Sequence, residues 1–339
     1  MISTADTPAT THVSQETALA ATHRRPGTIP TEPRCLSGFD TFAVVEPVRS
    51  LLIDQIRDLV KELTSGAKFP GPNPCSIERS NLRSFKSQKY WVCDKTDGVR
   101  CLLVCINHVV EAENEQIPLK LALLVTRNWD VFVLKIDTCP RVWRQGMVCD
   151  GELVRIDHQW TWLGFDAIIL SGIPVWKEPL STRLRYAQLA WKDYGHTTGE
   201  LSLQWKQYYQ SVQDYQSAMK VSSMVSDGVI LTPEQDPVRV GRHRRLFKLK
   251  HNDKHTVDFM ITDGRDLHVF NPAGKVHVKV AMLSSPVEAS DGTIIECSFT
   301  DASWSFVCYR TDKSTANDVL TYNKTLVNIE EQLTIHDLM

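Results

Sequence analysis

Three things are missing from this chain of 339 residues. No C-x-x-C pair occurs among its nine scattered cysteines, which removes the usual spacing of a zinc site and of a disulfide framework. Several cysteines lie inside apolar runs, where a free thiol serves as a small hydrophobe, so a reducing compartment is expected. No run nears the roughly 18 apolar residues that span a bilayer, and the N-terminus has no apolar signal core; no membrane association is expected. A basic excess is also lacking. The formal charge is −2, which argues against a protein that grips nucleic acid by bulk electrostatics. What is present is an ordinary globular composition, 42% hydrophobic and 23% charged, at a length that suits roughly two domains.

Residues 1 to about 40 are rich in Thr, Ala, Ser and Pro without periodicity, the composition of a disordered tail. From Glu46 the pattern changes: Val48, Leu51, Leu52, Ile56, Leu59, Val60 and Leu63 fall at helical spacing, with Gly66 as a stop. "FPGPNPCSI" (69–77) reads as a loop. Strands follow in "KYWVCDK", "VRCLLVCIN", "LKLALLVTR", "DVFVLKID", "VCDGELVRID" and "WLGFDAIIL". Helices are expected near 181–192, opened by Ser181, and near 208–220. The one dense basic run, "RVGRHRRLFKLK" (239–250), reads as a loop entering a strand with Lys248 and Lys250 on one face. After Asp253, five short alternating strands suit a small barrel of the OB type. An amphipathic helix near 317–335 closes the chain, and its apolar face is expected to return to the larger domain. The expected organisation is α+β: a tail at 1–40, antiparallel sheets with helices at 46–253, a barrel at 254–316 and a final helix at 317–339.

Chemistry enters at the strand ends. "WVCDKTDGVR" (91–100) places Lys95 where a strand stops and a tight turn begins. Asp-Gly is a good turn pair because both residues tolerate positive φ. Five such pairs occur here, at 97, 150, 227, 263 and 291, so one of them proves nothing. Seven charged stretches in order carry more weight. They are Lys95-Thr96-Asp97-Gly98-Val99-Arg100, Arg127 in "TRNWD", Asp150-Gly151-Glu152 and Phe165-Asp166. Asp227-Gly228-Val229-Ile230, running on to Lys248-Leu249-Lys250, and Arg310-Thr311-Asp312-Lys313 complete the set.

This set resembles the nucleotidyl motifs of the covalent nucleotidyltransferases and, among them, the eukaryotic mRNA capping guanylyltransferases. The family patterns K-x-D-G-x-R, D-G-E, D-G-hydrophobic, K-x-K and R-x-D-K all appear, over residues 46 to 320. Two positions depart: Leu249 stands where the family usually has Trp, and Ala316 where it has Pro. The resemblance implies a nucleotidyltransferase domain (ATP-grasp-like antiparallel sheets with helices) followed by an OB-fold barrel. It also implies a reaction. Lys95 takes GMP from GTP, releases pyrophosphate, and passes GMP to the 5′-diphosphate end of RNA.

For that reaction Lys95 must attack as a neutral amine. A free lysine has a pKa near about 10.4, and burial and neighbouring cations lower it. Lys248, Lys250 and a bound metal would supply cations that also stabilise charge developing on the α-phosphate. By the resemblance, Arg100 and Glu152 hold the ribose hydroxyls and Phe165 stacks on guanine. Thr96 and Lys206 meet the guanine O6, and Arg127 reaches the triphosphate. Asp227 and Asp258 act near the metal and α-phosphate, while Arg310, Asp312 and Lys313 orient the outer phosphates when the barrel closes. Mg²⁺ or Mn²⁺ is expected, held mainly through phosphates with Asp227 the candidate carboxylate.

Two other readings share features with this one: an ATP-dependent DNA or RNA ligase using the same lysine, and a non-enzymatic OB-fold nucleic-acid binder. R-x-D-K after a Trp separates capping enzymes from the first, and the absent basic excess disfavours the second. No H-C-x5-R loop occurs, and the sequence upstream of residue 46 is too short for a triphosphatase domain. A separate RNA 5′-triphosphatase is therefore the expected partner. The resemblance adds the phosphorylated C-terminal tail of RNA polymerase II as the recruiting partner, and the nucleus as the location.

Overall fold

A computed structural model describes residues 29–65, 68–112, 115–134, 136–137, 144–194, 196–197, 201–219, 226–251 and 254–339. Most of the expected tail, residues 1–28, lies outside the described residues, as does the helix stop expected at Gly66. The remainder of that tail is corrected. Strands β1 (Thr31–Leu36) and β2 (Phe39–Val44) form a hairpin, because Phe39 and Ala43 join the core on one face of the larger sheet and Val44 the core on the other.

The chain continues through α1 (Val48–Leu59), β3 (Pro72–Ser76), α2 (Leu82–Lys86), β4 (Tyr90–Asp94), β5 (Val99–Ala112), β6 (Glu115–Thr126) and β7 (Val131–Leu134). Then come β8 (Ile136–Asp137), β9 (Met147–Ile156), β10 (Gln159–Leu170), β11 (Ile173–Pro174), α3 (Leu180–Tyr194), β12 (His196–Thr197) and β13 (Leu201–Trp205). The unit ends with α4 (Val212–Met219), β14 (Gly228–Pro233) and β15 (Gly241–Lys250).

Two sheets organise it. The larger has the order β1-β2-β7-β6-β5-β9-β10-β11, with β13 also paired to β10. The middle runs of its central strands, 101–106, 121–125 and 147–149, are continuously apolar because both faces are covered there. On β5, Leu102, Val104 and Ile106 join the core under α1, while Cys101, Leu103 and Cys105 join the core on the opposite face. The second sheet has the order β3-β15-β14-β4 and packs around Val92, Leu231 and Phe247. The Pro-rich stretch expected to be a loop contributes β3 at the edge of this sheet, parallel to β15; an edge is where a strand tolerates proline.

The barrel is β16 (Thr256–Thr262), β17 (Asp266–Asn271), β18 (Val276–Met282), β19 (Ile294–Thr300) and β20 (Ser303–Tyr309), ordered β18-β17-β16-β19-β20. A parallel bridge between Leu283 and Trp304 closes it, which is the OB topology. The last helix, α5 (Val319–Glu331), packs on this barrel, not on the larger domain as expected. Tyr322 enters the barrel core beside Phe259 and Trp304, with Val319, Leu326 and Ile329 against it. Only the residues beyond the helix return: Leu333 and Leu338 are buried in the core of the four-stranded sheet. No helix among the described residues is long and apolar enough to cross a membrane.

Candidate active site

A cleft of about 640 Å³ lies between the two sheets. Lys95 enters it just past the end of β4, where its backbone is fixed on both sides. Its N–H donates to the Gly228 carbonyl at 2.9 Å, and its own carbonyl accepts from Asp227 N–H at 3.0 Å. The turn therefore does more than reverse the chain; it locks the lysine to the D-G-V segment of a neighbouring strand. Lys95 Nζ stands 3.4 Å from Asp227 Oδ2.

Arg100, Arg127, Glu152, Phe165, Lys206 and Lys248 line the same cleft, as does Thr96. Thr96 Oγ1 donates to Glu152 Oε2, and Lys206 Nζ donates to that same oxygen and to the Asp94 carbonyl, each at 3.2 Å. Lys206 is held in the cleft with its side chain only 7% exposed. Phe165 is the extra residue in a β-bulge: the β9–β10 register passes from Gly164 to Asp166 and skips it. A bulge re-aims a side chain, and the Phe165 ring faces the cleft between Arg100 and Lys206, each 5.4 Å from its centroid. Its neighbour Asp166 turns away into a buried bidentate pair with Arg183 at 2.7 and 2.9 Å.

The cations in this cleft outnumber their counter-charges. Among the described residues, Arg127 and Lys248 line it without an ion pair. Burial, and then the charges of Lys250 and Lys95, hold the Lys248 amine below the ordinary lysine pKa. Burial and then Lys95 do the same for Lys250, whose Nζ donates to the Lys254 carbonyl at 3.2 Å. Lys250 itself does not line the cleft. Such an arrangement is built for a polyanion.

Four expected site residues stand elsewhere. Asp258 lies on β16 of the barrel, where its carboxylate pairs with Arg310 at 2.6 Å and with Lys313. Arg310 also makes a two-pronged contact to Asp312, both at 2.9 Å. These residues form one cluster outside the cleft lining, so Asp258 stands apart from the cleft in which it is expected beside the α-phosphate. Two opposite charges on its own domain hold it.

One residue of the site went unassigned from sequence. Asp150, fully buried, binds Arg100 through both carboxylate oxygens, with Arg100 Nε to Oδ1 at 2.9 Å. Arg100 Nη1 adds the Pro72 carbonyl at 2.6 Å. Burial opposes the guanidinium charge, yet the Asp150 carboxylate raises its pKa above the usual arginine value. The signal was available in D-G-E, since Asp150 and Glu152 share one face of a strand.

A lysine held at the floor of a cleft between two sheets, with an OB barrel following, defines a nucleotidyltransferase. Comparison with known proteins carries this further. The family model described as mRNA capping enzyme, catalytic domain, matches residues 41–252, and its C-terminal domain matches residues 200–339. The mRNA-capping enzyme subunit alpha of Yarrowia lipolytica is 26% identical over 328 residues, covering 80% of this chain and 81% of that protein. That of Schizosaccharomyces pombe is 25% identical, covering 81% and 80%. The chain belongs to the mRNA capping enzyme family and is an mRNA guanylyltransferase.

Proposed function

We propose that guanylyl transfer in this chain runs through Lys95. Its neutral amine attacks the α-phosphorus of GTP, an N–P bond forms, and the bond to the β-phosphate oxygen breaks to release pyrophosphate. Asp227, whose Oδ2 lies 3.4 Å from Nζ, is the nearest carboxylate to the lysine's proton. In the second step a terminal oxygen of the RNA 5′-diphosphate attacks the same phosphorus. The N–P bond breaks, Lys95 regains its amine, and a 5′–5′ triphosphate bridge is left on the RNA.

The single observation that supports this reading is the convergence of Lys95 with Arg100, Arg127, Glu152, Phe165 and Lys248 in one cleft. Phe165 offers a flat face to the base. Thr96 and Lys206 are donors suited to a carbonyl such as guanine O6, and Glu152 is the acceptor for ribose hydroxyls. Arg127 and Lys248 meet the phosphates. Among the described residues there is no group of three or more metal-ligating side chains. Mg²⁺ or Mn²⁺ would therefore be held chiefly by the phosphates, with Asp227 as the protein's carboxylate, and would neutralise charge on the phosphoryl group. Arg310, Asp312 and Lys313 act on the outer phosphates once the barrel closes, which requires Arg310 and Lys313 to exchange Asp258 for phosphate oxygens. The acceptor is 5′-diphosphate RNA supplied by a separate RNA 5′-triphosphatase. Recruitment by the phosphorylated tail of RNA polymerase II and a nuclear location follow from the same reading.

Label transfer tests it. With Mg²⁺ and α-labelled GTP, a protein band that survives denaturation and is acid-labile is expected, absent with α-labelled ATP and absent in Lys95→Ala. Label from ATP alone would move the chain to the ligases.

A further inference from the structure

The nucleotide cleft uses only part of the basic run at 239–250. Lys248 lines the cleft, and Arg245 is tied to Asp236 at 2.6 Å. Arg242 and Arg244 remain, both exposed. They line a second hollow of about 380 Å³ together with Cys75, Ser76, Asn81 and Lys324. Lys324 comes from α5, so the hollow is walled by both the larger domain and the barrel unit. Among the described residues, Arg244 has no ion pair. Arg242 Nε donates to Cys75 Sγ at 3.1 Å and has no carboxylate at ion-pair distance. Glu78, the acid in the lining, is paired with Lys324 at 3.2 Å. Three cations thus face one carboxylate, in a protein whose net charge is −2.

The hollow and the cleft lie on one strand. In the parallel β3–β15 register, Cys75 stands beside Phe247 and Ser76 beside Lys248. Arg242 lies beside Asn73 and Lys248 beside Ser76, three residues apart on β3, so the two are the ends of a basic edge about 10 Å long. We propose that this edge holds the backbone phosphates of the acceptor RNA just downstream of its reacting 5′-diphosphate end. The inference rests on the guanylyltransferase reading, which supplies the RNA. Unpaired guanidinium groups with Ser and Asn donors suit successive phosphates. A phosphorylated peptide is a poorer fit, because the hollow offers no apolar pocket for a flanking side chain beyond the buried Phe247.

The test is binding of a fluorescent 5′-diphosphate RNA of roughly ten nucleotides to the full chain across a salt series. The double variants Arg242→Gln/Arg244→Gln and Arg242→Glu/Arg244→Glu are compared with wild type, and GMP labelling from GTP is followed in parallel. The slope of log affinity against log salt should become shallower by about 0.7 for each lost phosphate contact. Affinity should fall about tenfold, equal to roughly 1.4 kcal/mol, while GTP labelling persists and reports that the variants are folded. Unchanged slope and affinity in both variants would overturn the proposal. So would unchanged RNA binding together with lost binding of a phosphoserine peptide, which would assign the hollow to a protein partner. RNA binding that follows the proposal in a chain that takes no label from GTP would uphold the hollow and overturn the catalytic reading instead.

Discussion

Asp150 and Glu152 stand two residues apart on one strand, and their carboxylates do different work. Glu152 accepts from Thr96 and Lys206 within the cleft, while Asp150 is sealed behind Arg100 and holds its guanidinium by two prongs. Arg100 lies directly across from Glu152 in the β5–β9 register, yet it reaches diagonally to Asp150. Removing the charge in Asp150→Asn leaves a buried cation without its partner, a loss of about 3–5 kcal/mol for a broken buried pair. A lower unfolding temperature and a raised KM for GTP are expected; an unchanged KM would confine Asp150 to structure. Glycine separates the five Asp-Gly pairs in the same way. A Cβ at Gly228 (φ +137°) would sit 2.0 Å from the Leu249 carbonyl oxygen, and at Gly151 it would sit 2.3 Å from the Trp162 ring, whereas at Gly292 it would meet nothing within 4 Å. Gly228→Ala is expected to cost GMP labelling because it displaces the backbone that holds Lys95. Gly292→Ala, strained only by its φ of +89°, should leave labelling intact and lower the melting temperature slightly. The lysine proposed as nucleophile is legible in the motif, but the unequal weight of identical Asp-Gly pairs is not, because it depends on what other strands bring against each glycine.

From sequence, the stretch that carries Lys248 and Lys250 reads as a loop entering a strand. It is a strand from Gly241 onward, broken in register between His243 and Phe247. His243 makes that break possible. Only 5% exposed, its Nδ1 accepts from the backbone N–H groups of Arg245 and Leu246 at 3.2 and 3.0 Å, and its Nε2 faces Asp236 at 3.3 Å. Nε2 therefore carries the proton, and the ring is neutral. Burial is the main cause that holds its pKa below the ordinary histidine value; Arg239 and Arg245 act in the same direction and Asp236 opposes them. In the unfolded chain the ring takes a proton near about pH 6.5, before the folded protein does. Over that interval the unfolded state binds more protons, so stability rises with pH. Stability is complete above the unfolded pKa and is lost as pH falls from there through the folded value. Thermal unfolding followed from neutral to mildly acidic pH should show this fall, and His243→Gln, which cannot take the proton, should flatten it. A sequence holds no mark for such a histidine. Its alternation with cations reads as exposure, and burial comes from the elements packed over it.

At the scale of the whole molecule, the barrel and its topology were legible from five short alternating strands, while the seat of the last helix was not. An amphipathic face declares that a partner exists without saying which, and here the nearer partner wins through Tyr322 and its aromatic neighbours. The eight residues after the helix, 332–339, form a clasp. Leu333 and Leu338 are 5% and 4% exposed in the core of the four-stranded sheet, and Glu331 at the end of the helix accepts from Arg79 N–H at 2.7 Å. The barrel is therefore joined to the larger domain twice, by the chain entering β16 and by this return. Each buried leucine truncated to alanine costs about 2–5 kcal/mol, so Leu333→Ala/Leu338→Ala is expected to loosen the second joint and lower the unfolding temperature. The proposed reaction then makes an asymmetric demand. Charging with GTP needs the barrel closed, so that Arg310 and Lys313 reach the outer phosphates, whereas transfer to RNA needs it open. Loosening the clasp should therefore slow labelling from GTP more than it slows GMP transfer from enzyme already charged at Lys95. Single-turnover rates for the two steps measure this directly, and an equal loss at both would reduce the clasp to a stabiliser of the fold with no part in closure.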